Sequence, residues 1–303
     1  MTDEVYSFLI DGGISKGQAV RLTETLDVIL AQHRYPERVG SFLAEACTLA
    51  VLLSASIKYD GVFTLQIQSD GPISTMVVNM TSDGKIRGYA RFNEQRLEDA
   101  ERKMAEQPSA PVPAFFGQGA LSFIVEQPGD AENYQGVVAL ERATLAECVH
   151  QYFRQSEQIE TAVRLSVGKP DSSNTGWSCG AVMLQRMPAD KKTFSELGPE
   201  EIEEIWRTAV ILLNSVTDQE LQDAKLPVEK LVNRLYHLND LHVFMPKKLE
   251  FGCRCSQEKV IEMLKRFSPE DRKDMVVDGK IKVDCQFCGR SYTLTLKDLE
   301  SGE

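Results

Sequence analysis

Two short cysteine pairs near the end of the chain constrain its folding more than any other stretch. Cys253-Arg254-Cys255 and Cys285-Gln286-Phe287-Cys288-Gly289 are separated by twenty-nine residues and hold four of the seven cysteines. A Cys-x-x-Cys turn aims two sulfurs at one point, and Gly289 suits the positive φ that follows such a knuckle. In an extended Cys-x-Cys the two side chains share a face, because strand side chains alternate. Together the pairs supply the closed tetrahedral sulfur set of a structural zinc site, and all-thiolate ligation disfavours hard cations. The nearest imidazoles, His237 and His242, both precede the first pair. The expectation is one zinc on Cys253, Cys255, Cys285 and Cys288. His242 in place of one thiolate, or an iron–sulfur cluster, are the alternatives.

The pattern leaves two uses open. One is a static ribbon, since small metal units commonly depend on the ion, with apparent binding of roughly 10–16 kcal/mol that doubles as folding energy. The other is a switch. Static ribbons usually carry Cys-x-x-Cys at both ends; here one end is Cys-x-Cys, and each cysteine has a close partner for a short-loop disulfide. Zinc keeps sulfurs as thiolates, the form an oxidant attacks. Oxidising each pair internally would remove every ligand and unfold a unit of this size. Spacing alone does not choose between the two.

A 303-residue chain has room for one large domain and a smaller one. Its net charge of −11 argues against general nucleic-acid binding, which needs a basic surface. The opening Met1-Thr2-Asp3-Glu4-Val5 has neither a basic nor an apolar leader segment, so no signal peptide is expected. The most apolar stretch, Ala44 to Ala55, reads as a core helix rather than a membrane span. These features predict a cytoplasmic protein with no nucleic-acid or membrane partner, its cysteines reduced or metal-bound. No Walker-type glycine loop is present. Cys285 and Cys288 lack the βαβ context of a thioredoxin-like motif, so the chain is not expected to be an enzyme.

The periodicities predict an α+β fold: a large N-terminal domain of helices and antiparallel sheet (1–188), a helical linker (189–249) and a small four-cysteine zinc domain (250–303). The first sixty residues read helical, with Leu22, Leu26, Ile29 and Leu30 at helical spacing and a longer helix from Pro36. Strands are expected at Val62 to Gln68, Ser74 to Met80, Lys85 to Phe92, Ala120 to Glu126 and Tyr134 to Leu140, the last pair turning at Gly129-Asp130. Asn93 to Pro113 reads as a charged loop with a short helix. A helix over Thr144 to Gln158 precedes strands at Ala162 to Val167 and Gly180 to Met187. In the linker, Gly198-Pro199-Glu200-Glu201 and Thr217-Asp218-Gln219-Glu220 start two helices, and Pro227 to His237 forms a third. Helices this short depend on docking their apolar faces. His242 to Phe251 reads as extended. Cys47 and Cys148 lie on apolar helix faces and are expected to be inert. Cys179, after Trp177-Ser178, is expected to be a surface thiol open to stray disulfides.

Across nearly its whole length the chain resembles the redox-regulated cytoplasmic chaperones of the heat shock protein 33 family. Their signature is Cys-x-Cys, a spacer near thirty residues and Cys-x-x-Cys, matched by Cys253, Cys255, Cys285 and Cys288. Gln68-Ser69-Asp70-Gly71-Pro72, Arg87-Gly88-Tyr89-Ala90-Arg91, Tyr134-Gln135-Gly136-Val137-Val138, Tyr152-Phe153-Arg154-Gln155-Ser156-Glu157-Gln158 and Leu235-Tyr236-His237 also fit. The resemblance implies an ATP-independent holdase that is an inactive or weakly active, zinc-bound monomer when reduced. Oxidation pairs Cys253 with Cys255 and Cys285 with Cys288, zinc leaves, and the zinc domain and metastable linker unfold. Apolar surface becomes available; the residue pattern itself adds that the amphipathic helices of Pro199 to His237, if docked on the metal-folded unit, would then expose Trp206, Leu212, Leu213 and Leu231. Homodimers then form, and unfolding client proteins are held through the N-terminal domain under oxidative stress.

Overall fold

The computed structural model describes residues 3–127, 134–170, 176–188 and 197–300. The chain opens on two strands, β1 (Asp3–Ile10) and β2 (Ser15–Leu22), followed by α1 (Glu24–Ala31) and the long α2 (Glu37–Ser56). A meander β3 (Val62–Ser69), β4 (Ile73–Thr81) and β5 (Lys85–Phe92) leads to α3 (Glu94–Glu106) and α4 (Pro111–Phe116). Next come β6 (Gly119–Glu126), β7 (Tyr134–Ala139), α5 (Leu145–Tyr152) with a π turn over Phe153–Glu157, then β8 (Thr161–Gly168) and β9 (Ser178–Arg186). The linker supplies α6 (Pro199–Asn214), α7 (Asp218–Gln222) and α8 (Val228–Tyr236), then β10 (His242–Val243) and β11 (Lys247–Phe251). The last unit contains α9 (Gln257–Lys265), α10 (Pro269–Asp274), β12 (Ile281–Asp284), β13 (Ser291–Leu294) and α11 (Leu296–Glu300).

One eleven-stranded sheet runs β7-β6-β3-β4-β5-β11-β1-β2-β9-β8, with β10 also on β1. β11, from the far end of the linker, fills the gap between the two halves: antiparallel to β1 (Val5 opposite Lys247) and parallel to β5 (Phe251 opposite Ile86). Its Leu249 is 2% exposed and belongs to the main core. The expected boundary after residue 249 therefore falls inside a strand of the large sheet.

Alternation along β9 sends neighbouring residues to two different cores. Cys179, Ala181 and Met183 join the main core with α2, whereas Val182 and Leu184 face a second core with the linker helices. That second core places Trp206, Leu213, Leu231, Leu235 and Tyr236 against Phe8, Ile10 and Ala19. The strands β1, β2 and β9, rather than the cysteine unit, supply the docking surface for the linker. Gly17 makes room for it: a Cβ there would lie 2.1 Å from the Phe8 ring, which stacks on Tyr236 at 5.6 Å between centroids.

Asp3–Ile10 and Ser15–Leu22 are strands, not the helix expected from the first sixty residues. β2 is buried on both faces and carries the buried polar residues Ser15, Gln18 and Arg21, so neither a period of two nor an apolar run marks it. Leu22 ends that strand, and α1 begins where Asp3 accepts the Thr23 and Thr25 N–H groups at 2.9 Å. The stretch up to Pro113, read as a charged loop with a short helix, holds the thirteen-residue α3, longer than expected and capped by Asn93. Only Leu97 of α3 is buried, too little apolar periodicity for a sequence signal. The expected turn at Gly129-Asp130 lies outside the described residues. α2 is long and apolar enough to cross a membrane, but 78% of its apolar window is buried inside the fold, as expected for a core helix.

Candidate metal centre

Local folding delivers each cysteine. β11 ends at Phe251, and the chain continues through Gly252, which packs against the Lys85 side chain, to Cys253 and Cys255. The other pair sits on the turn between β12 and β13. There Gly289 N–H donates to the Cys285 carbonyl at 2.8 Å, Cys285 N–H donates to Arg290 at 2.9 Å, and Gly289 adopts φ 63°. Around the turn lies a small core of Val260, Leu264, Ile281, Tyr292, Leu294 and Leu299, with Cys255 and Cys285 packed against it.

All four sulfurs lie within 4.8 Å of one another. Cys253 Sγ is 3.6 Å from Cys285 Sγ, and Cys255 Sγ is 3.4 Å from Cys288 Sγ. A tetrahedron of sulfurs each about 2.3 Å from zinc has edges of ~3.8 Å, so the donor set and its spacing fit a Cys₄ zinc ion. Both of these contacts join one motif to the other, so the two pairs converge on one point. His242 stands in β10 opposite Leu9 with its ring against Phe244, and the converging donors are four cysteines without it.

The four thiols are half-buried and have unequal partners. Burial raises the Cys253 pKa, but hydrogen bonds from Cys255, Arg87 and Cys288 outweigh it and hold the thiol at about 7. Burial and the crowding of neighbouring sulfurs push Cys288 up to about 12. Arg87 Nη1 donates to Cys253 Sγ at 3.7 Å, and Tyr292 Oη donates to Cys255 Sγ at 3.1 Å. Neither partner was marked by the cysteine spacing: Arg87 is 166 residues from Cys253, and Tyr292 is simply an inward residue of β13.

The other three cysteines are buried in the main core. Burial pushes Cys47 up to about 12 and raises Cys148 and Cys179 as well, so all three are poor nucleophiles. This corrects the expectation for Cys179. It lies in β9 opposite Leu22 with no exposed surface, because β9 is an interior strand covered on both faces. The Cys285 turn joins two antiparallel strands, not a strand to a helix, which removes the geometric basis for a thioredoxin-like dithiol.

The sequence model of the Hsp33 protein family matches residues 3–295. The chain belongs to the Hsp33 family. It is 34% identical over 296 residues to the 33 kDa chaperonin of Caulobacter vibrioides, covering 97% of this chain and 95% of that protein. It is 32% identical over 299 residues to the 33 kDa chaperonin of Escherichia coli O7:K1, covering 98% and 94%. The fold matches the crystal structure of the 33 kDa chaperonin of Thermotoga maritima with a TM-score of 0.75 and 21% identity, over 99% and 97% of the two chains. Membership in this Hsp33 family makes the chain a family chaperone with a cysteine cluster suited to zinc.

Proposed function

We propose that this protein is a redox-switched, ATP-independent holdase of the cytoplasm. The observation that carries the reading is convergence of four half-buried thiols inside a unit whose own core holds only six buried apolar residues among those described. A core that small contributes little stability, so zinc, bound as an all-thiolate structural ion, supplies much of the folding energy of residues 250–303. Cys253, Cys255, Cys285 and Cys288 are its ligands.

Peroxide is the oxidant class this chemistry needs. The Cys253 and Cys255 thiolates together lose two electrons as their S–S bond forms; one hydrogen peroxide accepts them, its O–O bond breaks, and with two protons from solvent it leaves as two waters. Cys285 and Cys288 do the same with a second peroxide. After both steps no thiolate remains to hold zinc, and residues 250–303 lose their fold. β11 loses its C-terminal anchor, and the linker 189–249 loosens with it. The apolar face of α6 and α8, together with Phe8 and Ile10 of the 1–188 core, becomes available to unfolding clients and to a second copy of the chain.

The test is light scattering of a thermally unfolding client protein with peroxide-treated and reduced chaperone, without ATP. The oxidised form suppresses aggregation and elutes as a dimer; the reduced form does neither. Equal suppression by both forms would remove redox control from the account.

A further inference from the structure

The loop between Cys285 and Cys288 is held from outside its own unit. Arg87, on the face of β5 turned away from α2, places its guanidinium 4.0 Å from the centroid of the Phe287 ring. Tyr89, two residues along the same face, meets that ring edge-on at 6.2 Å. His33, just past α1, is 2.6 Å from the Gln286 carbonyl through Nε2, and its ring packs against Tyr35 and Tyr89. A Cβ on Gly289 would lie 3.8 Å from the Gln32 carbonyl oxygen, so the end of α1 also borders the turn. The grip is aimed from the core: Arg87 Nε donates to Asn79 Oδ1 at 2.8 Å, and Asn79 Nδ2 donates to Thr64 Oγ1 at 2.8 Å. Asn79 and Thr64 are 7% and 8% exposed, so the inner end of this chain of bonds is buried and fixes where the guanidinium sits.

We propose that Arg87 and Phe287 form an interdomain latch through which the N-terminal core holds the knuckle in its metal-binding shape and slows loss of zinc. Gln286 and Phe287 lie between two ligands, so their backbone path is set by the ion at each end and by the core in the middle. A contact that favours the ligating path stabilises the bound ion by the same free energy. Arg87 acts twice, stacking on Phe287 and donating to Cys253, which joins the two cysteine pairs to one core residue. Arg87, Phe287, Tyr89 and His33 are positioning residues: none is a zinc ligand.

The proposal rests on the zinc reading above but not on oxidation. The experiment therefore uses the full-length, reduced, zinc-loaded chain and follows zinc transfer to a chromophoric chelator without oxidant. Phe287→Ala speeds transfer by about fivefold, the size of a partly desolvated cation–π contact, and Arg87→Ala, which also loses the Cys253 contact, by at least as much. Phe287→Tyr keeps the stack and returns the rate to within about twofold of the parent. Combining Phe287→Ala with Arg87→Ala gives less than the product of the two single effects, because both remove one contact. Amide exchange at residues 286–289 rises in both alanine variants while the core strands β3 and β4 stay protected, which separates an opened latch from a misfolded core. Parent-like transfer rates in both alanine variants would overturn the latch. So would rates that multiply independently. A parent protein that holds no zinc would overturn the metal reading itself, and amide exchange at 286–289 would still test the grip.

Discussion

Arg21 Nε donates to the Leu221 carbonyl at 2.7 Å, reaching from the second strand of the sheet to a residue 200 positions later. Its Nη2 donates to the Glu220 carbonyl at 2.5 Å and its Nη1 to the Leu226 carbonyl. One buried guanidinium therefore satisfies three backbone acceptors at the turn between α7 and α8. Arg21→Ala leaves those carbonyls without their donor and costs about 2–4 kcal/mol of stability. The expected outcome in urea denaturation is an early loosening of 197–241. Dye binding to exposed apolar surface then rises in the reduced protein. Arg21→Lys, a single point charge, recovers part of the loss.

Cys285→Ser tests the centre itself. A serine hydroxyl is not ionised near neutral pH and closes no thiolate tetrahedron. Zinc affinity drops by roughly two orders of magnitude or more. By amide exchange, residues 250–300 lose protection while α2 keeps it.

Leu249→Ala tests the join between the cysteine unit and the sheet. Leu249 is buried in the main core from β11, so truncation costs about 2–4 kcal/mol. The loss appears first in exchange of Gly252, whose N–H donates to the Ile86 carbonyl at 2.9 Å. Zinc content of the folded protein is unchanged.

Glu45 of α2 gives the fold a pH dependence of its own. Burial raises its pKa from 4.5 to about 7, against the backbone N–H groups of Ala146 and Leu145, which lower it. The native state therefore prefers the protonated acid. This contribution is full below about 4.5, shrinks as pH rises, and is gone above about 7. Its size is on the order of 2 kcal/mol once solvent screening is allowed for. Glu45→Gln removes this dependence from denaturation midpoints measured between those limits.

The convergence of Cys253, Cys255, Cys285 and Cys288 was legible in the sequence, because four cysteines at two short spacings leave few other geometries. The sequence carried the linker helices too: the capping box at Thr217 and Glu220 and the proline at the start of α6 are local signals that packing preserved. What it hid was non-local. β1 and β2 were read as helical because β2 is interior, and burial on both faces erases strand alternation. The role of β11 was hidden because only the fold brings residue 249 beside residue 3. The Arg87–Phe287 contact has no local signature, since either residue alone is an ordinary strand or turn residue.

On the proposed function the four thiols hold zinc, and losing it turns the chaperone on. The most direct measurement takes one sample before and after peroxide with mild heating and reads bound zinc, free thiols and client aggregation together. The account predicts release of the single bound zinc and loss of the Cys253, Cys255, Cys285 and Cys288 thiols. Cys47, Cys148 and Cys179 stay reduced, and client protection rises in step with zinc release. Zinc retained in fully protective protein, or zinc and thiols lost with no gain in protection, would contradict it.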